Sequence, residues 1–130
     1  ALPEPEPGSG SPLDMNRINE LKRLSDQHAP GLLAQLTEGF DNELPVRIEE
    51  LRQAAASGDR EAFHAAAHSV AGISGNVGAV HLLKVARDLQ AWERSAPLTG
   101  AATIINRLEA EFTRARAALH GVENQSTPSL

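Results

Sequence analysis

The sequence predicts an all-α fold: an up-down four-helix bundle with a short additional N-terminal helix covering one end. Three observations lead there. Apolar residues recur at spacings of three and four through four long stretches, which aligns them on one face of a 3.6-residue helix. Aromatic residues make up only 3% of the chain, with no tyrosine, while Ala and Leu abound, a composition that suits helices better than sheets. Gly and Pro punctuate the stretches, and the connections they leave are short enough to favour antiparallel neighbours. No internal repeat at a fixed period is evident.

The elements follow in order. Residues 1–12 alternate Pro with Glu and then become Gly/Ser-rich, a composition that resists packing and predicts a disordered linker; the missing initiator Met fits a domain excised from a longer chain. The bundle is expected over residues 13–120. Asp14 can cap a first helix whose inner side carries Met15, Ile18, Leu21 and Leu24, and Pro30-Gly31 breaks it from the next. The second helix holds the stripe Leu33, Leu36, Phe40, Leu44, Ile48, Leu51 and Ala55. Pro45 removes a backbone donor within it and predicts a kink, with two shorter helices as the alternative. Gly58 suits a left-handed C-terminal cap, and Asp59 can cap the helix that follows.

The third helix presents Phe63, Ala66, Ala67, Val70 and Ile73 or Ser74 inward. A fourth begins near Gly78 or Ala79, buries Leu82, Leu83, Ala86 and Leu89, and ends before Pro97. The fifth carries Ile105, Leu108, Phe112, Ala115 and Leu119. Trp92 is expected to pack at the bundle's edge. Residues 121–130 are polar, include Pro128 and lack helical periodicity, which predicts a flexible tail.

Composition removes several function classes. With 130 residues and 41% hydrophobic content, one compact domain with tails is expected. The absence of cysteine excludes disulfides and thiolate metal sites. A formal charge of −5 argues against a nucleic-acid surface, and Arg114 and Arg116 are too few to reverse that. No apolar run approaches the length that spans a bilayer, and no basic segment followed by an apolar run opens the chain, so direct membrane insertion is not expected.

The most informative residue is His68. Helix geometry puts it on one face with His64, Ala65, Ala71, Gly72 and Gly75, opposite the inward stripe, so the imidazole should point to solvent among very small neighbours. Two glycines in regular helix cost roughly 2 kcal/mol relative to Ala. Close approach of another molecule to the imidazole would account for that; a turn at Gly75 and Gly78 is the other explanation. Neutral imidazole is a good nucleophile near physiological pH and needs exposure more than activation. Glu61, His64 and His68, spaced three and four apart, could instead share a metal, although a further ligand is not identifiable. A helical docking module without chemistry is another alternative. No serine, base and orienter arrangement suggests hydrolytic catalysis. His28, His81 and His120 receive no role.

The run Ala67-His68-Ser69-Val70-Ala71-Gly72, followed by Gly78-Ala79 and then Leu82, Leu83 and Leu89, resembles the signature of histidine-containing phosphotransfer (HPt) domains. The upstream order also matches, with an apolar helix ending in Ala54-Ala55-Ala56-Ser57-Gly58-Asp59 before Phe63, and the resemblance covers most of residues 13 to 120. It implies a phosphocarrier without kinase activity of its own. His68 would accept a phosphoryl group through Nε2 from a receiver-domain aspartate and pass it to another receiver. The implied partners are response-regulator receiver domains. No cofactor is expected in this chain, and Mg²⁺ would come with the receiver. His64, Ala65, Ser69, Ala71, Gly72, Gly75 and Asn76 are the docking candidates. The family's frequent lysine three residues after the histidine is Ala71 here, which weakens local charge stabilisation. With the linker composition, the resemblance suggests the C-terminal domain of a hybrid sensor histidine kinase, cytoplasmic and attached to an inner-membrane sensor.

Overall fold

The computed structural model describes residues 12–27, 31–92 and 96–126, with side chains as far as Val122. The helices are α1 (Met15–Gln27), α2 (Leu32–Ser57), α3 (Arg60–Asn76), α4 (Val80–Gln90) and α5 (Ala102–Ser126), and a 3-10 turn at Leu98–Ala101 leads into α5. No strand occurs among the described residues. The proposed linker falls almost wholly outside them, as does His28.

Connectivity and packing close the bundle into a ring. α2 packs on α3, α3 on α4, α4 on α5, and α5 returns to α2. Successive helices joined by short turns run antiparallel, so the start of α2, the end of α3, the start of α4 and the end of α5 share one end. The short α1 covers that end. Asp14 N–H donates to Gly78 O at 2.7 Å and Arg17 Nε donates to Asn76 O at 3.2 Å, tying the start of α1 to the turn between α3 and α4. That turn requires Gly78: its φ is +72°, and a Cβ there would lie 3.0 Å from Arg17 Cγ.

The caps form as the sequence predicts. Asp14 Oδ1 accepts from the backbone N–H of Asn16 at 3.0 Å, and Asp59 Oδ1 accepts from Ala62 N–H at 3.1 Å. Gly58 takes the left-handed conformation at φ +74° and donates to the carbonyl of Ala54. The core runs the length of the bundle. Phe40, Leu44, Leu51, Phe63, Val70, Leu82, Leu89, Ile105, Leu108 and Leu119 are all essentially sealed from solvent, and the Phe40 and Phe112 rings meet at 5.1 Å between centroids.

Several expectations are corrected. Met15 and Leu24 do not face inward; they are 44% and 36% exposed. α1 packs chiefly on α2 and the bundle end, so it needs only the narrow stripe of Ile18 and Leu21, joined by Leu13 ahead of the helix. Leu36 is half-buried while Thr37 is buried, its hydroxyl satisfied by donating to Leu33 O at 2.9 Å. Pro45 lies exposed within a single 26-residue helix, so the two-helix alternative does not hold. On α4 the buried arc is His81, Leu82, Val85, Ala86 and Leu89, and Leu83 lies at its margin, half-buried. The helix of the C-terminal segment continues to Ser126 rather than ending at residue 120, with Val122 extending the apolar stripe one turn beyond Leu119.

Candidate functional site

α3 sets the site. Its inward residues are Phe63, Ala66, Ala67, Val70 and Ser74, which rotates His68 to the outside, where it is exposed. Ser74 rather than Ile73 takes the last inward position. Around His68, Ala65, Gly72, Gly75 and Asn76 are exposed, whereas His64, Ser69 and Ala71 are half-buried. His64 also sets its ring at 87° to that of Phe63, with centroids 6.0 Å apart, which ties it to the core margin.

The glycines separate into two kinds. Gly78 belongs to the turn, but Gly72 and Gly75 lie inside α3, which runs on to Asn76. A Cβ added to either would meet none of the described residues within 4 Å. The roughly 2 kcal/mol lost by having Gly instead of Ala at both positions therefore has no cause among the described residues. A bare patch one to two turns along from an exposed imidazole is what close approach by another molecule would require.

Gln90 is the site residue that sequence reasoning missed. Its side-chain Nε2 lies 3.1 Å from His68 Nδ1, bridging the last turn of α4 to the middle of α3. The pairing follows from the hairpin: His68 and Gln90 stand eleven residues to either side of Ala79 at the turn. Counting outward from Gly78-Ala79 could have found it. In this orientation the Gln90 amide donates to Nδ1. Turned over by half a rotation, its Oε1 accepts from Nδ1–H and the Nε2 lone pair of His68 is left free. The outward nitrogen is then the one with an unshared lone pair.

Other polar groups lie elsewhere. His81 and Glu111 are buried between α4 and α5, with Nδ1 3.7 Å from Glu111 Oε2, and Arg114 Nη1 donates to Glu111 Oε1 at 3.2 Å. His120 Nε2 lies 2.6 Å from Asp41 Oδ2, between α5 and α2. Trp92 packs against the core, as expected, with Gly100 close against its ring. Among the described residues no group of three or more His, Asp or Glu side chains could hold a metal ion, so the Glu61, His64 and His68 alternative has no ligand set. No described helix is long and apolar enough to cross a membrane.

Comparison with known proteins agrees with this geometry. The family model of the Hpt domain matches residues 31–118. Among solved structures, the crystal structure of histidine-containing phosphotransfer protein B (HptB) from Pseudomonas aeruginosa PAO1 is similar at a TM-score of 0.76 and 28% identity, covering 92% of this chain and 100% of that one. No curated protein matches the chain significantly.

Proposed function

The chain belongs to the Hpt family and serves phosphotransfer in a phosphorelay with response-regulator receiver domains, and from that premise we propose that His68 is the phosphoacceptor. One observation carries the assignment: His68 is exposed on α3, held at Nδ1 by Gln90 and flanked by glycines with none of the described residues over them. The Nε2 lone pair attacks the phosphorus of a receiver aspartyl phosphate. The P–O bond to the aspartate breaks, the carboxylate leaves, and an N–P bond forms. With the Gln90 amide turned so that Oε1 faces the ring, Nδ1–H donates to it throughout, which stabilises the ring as it gains positive character. Reversal of these steps delivers the group to a second receiver.

In this reading the receiver brings Mg²⁺ and most of the charge stabilisation, and the bundle presents a nucleophile of fixed orientation. Ala65, Gly72 and Gly75 give the receiver clearance. Ala71 and Ser69 line the approach, with His64 and Asn76 at its margins. The linker character of residues 1–12 supports placing the domain at the C-terminal end of a hybrid sensor kinase, held at the inner membrane by that parent. The sequence upstream of Ala1 tests this, and a receiver domain encoded there is the expected result.

The assignment of His68 is tested by incubation with a receiver domain loaded from acetyl phosphate and Mg²⁺, followed by mass spectrometry under alkaline conditions that preserve phosphohistidine. Label should reside on His68 and vanish in His68→Gln. Undiminished labelling of His68→Gln would overturn the assignment.

A further inference from the structure

We propose that Arg87 supplies, from across the groove between α3 and α4, the positive charge that stabilises the phosphoryl group on His68. The inference rests on His68 being the phosphoacceptor. Phosphorylation brings roughly two negative charges at neutral pH to a chain whose formal charge is already −5. The His68 face of α3 offers no cation, since His64, Ala65, Ala71, Gly72 and Gly75 share it with Glu61.

The contact between Gln90 and His68 fixes the register of the two helices. Because α4 runs antiparallel to α3, one turn back along α4 is one turn forward along α3, about 5.4 Å in each case. Arg87, three residues before Gln90 and on its face, therefore stands level with Ala71 and Gly72. It is exposed, and its guanidinium makes no hydrogen bond or ion pair among the described residues.

Most other cations are committed. Arg17 binds Glu20 and the Asn76 carbonyl, Arg47 binds Glu50, Arg52 binds Glu109, and Arg116 lies 3.4 Å from Asp41. Lys84, one turn before Arg87, already takes part in another interaction. Lys22 and Arg23 stand on α1 and Arg107 on α5, and α3 packs mainly on α2 and α4 instead. Arg87 is thus an uncommitted cation level with the phosphoacceptor's flank. A long side chain on α4 meets the phosphoryl oxygens there without filling the bare surface of α3.

A small donor tests this without any receiver. Phosphoramidate phosphorylates imidazole directly: the ring nitrogen attacks phosphorus, the P–N bond breaks and ammonia leaves. The initial rate of labelling of the full chain is measured with the labelled residue located by mass spectrometry, for the native chain, Arg87→Gln, Arg87→Lys and Arg87→Gln/Ala71→Lys. Arg87→Gln should label His68 about fivefold more slowly at low salt, with the gap narrowing toward 0.5 M salt at roughly the screening expected of an exposed charge. Arg87→Lys should retain most of the rate, and Ala71→Lys should restore it in the Arg87→Gln background. Equal, salt-independent rates for the native chain and Arg87→Gln, with the label on His68, would overturn the role of Arg87 alone. Label on any other residue would overturn both this role and the assignment of His68.

Discussion

Replacing Gly72 by Leu should move stability and partner transfer in opposite directions. Gly72 is exposed in mid-helix, its φ is ordinary, and a Cβ would touch none of the described residues within 4 Å. Leu is among the better helix formers, so the substitution should stabilise the domain by about 0.5–1 kcal/mol. For a bundle of this size, that corresponds to a rise in Tm of roughly 2–6 °C. A leucine side chain leans toward the helix N-terminus, over the turn that carries His68, and stands in the path of an incoming domain. Transfer from a phosphorylated receiver should fall at least about tenfold, equivalent to roughly 1.4 kcal/mol of activation free energy. Phosphoramidate, being small, should still label His68 within about threefold of the native rate. Thermal unfolding and both labelling rates on one preparation decide the matter. A lowered Tm would show that the space above Gly72 is not open, and unimpaired receiver transfer would show that it is not a docking surface.

Three further outcomes are expected. Gln90→Ala removes the group holding His68 Nδ1; because Gln90 is only half-buried, stability should stay within about 0.5 kcal/mol, while labelling of His68 by either donor slows about tenfold, checked by urea unfolding beside the labelling time course. Asp59→Ala deletes the N-cap of α3 and should cost about 1 kcal/mol in denaturant unfolding, with Asp59→Asn recovering most of it. His81→Leu replaces a buried ring whose two nitrogens have no hydrogen-bond partner and keeps Arg114 as the partner of Glu111. Its unfolding free energy should stay within about 0.5 kcal/mol of the native value or rise, since removing unsatisfied buried polar atoms offsets the lost 3.7 Å contact.

The inward stripes were legible because each follows from a period that a single helix imposes. Leu33, Phe40, Leu44, Ile48 and Leu51 on α2, and Ile105 to Leu119 on α5, are buried as their spacing requires. Met15 and Leu24 failed the same rule because periodicity tells which side is apolar, not how much of it a neighbour covers. α1 sits at one end of the bundle and buries only Ile18 and Leu21. His81 went unrecognised for the converse reason. A polar residue in the first turn of a helix looks solvated until the register of α5 places Glu111 beside it.

The sequence by itself determined the helices, their caps and the outward direction of His68, since local steric rules and a 3.6-residue period decide these within one segment. It also showed an imidazole among residues too small to obstruct approach. Only the tertiary structure decided which residues of α4 meet that imidazole. Gln90 at Nδ1 and Arg87 level with Ala71 depend on the register of two antiparallel helices. That register is set by the left-handed turn at Gly78 and by the packing of α1 against it, contacts between segments that no single-helix pattern contains.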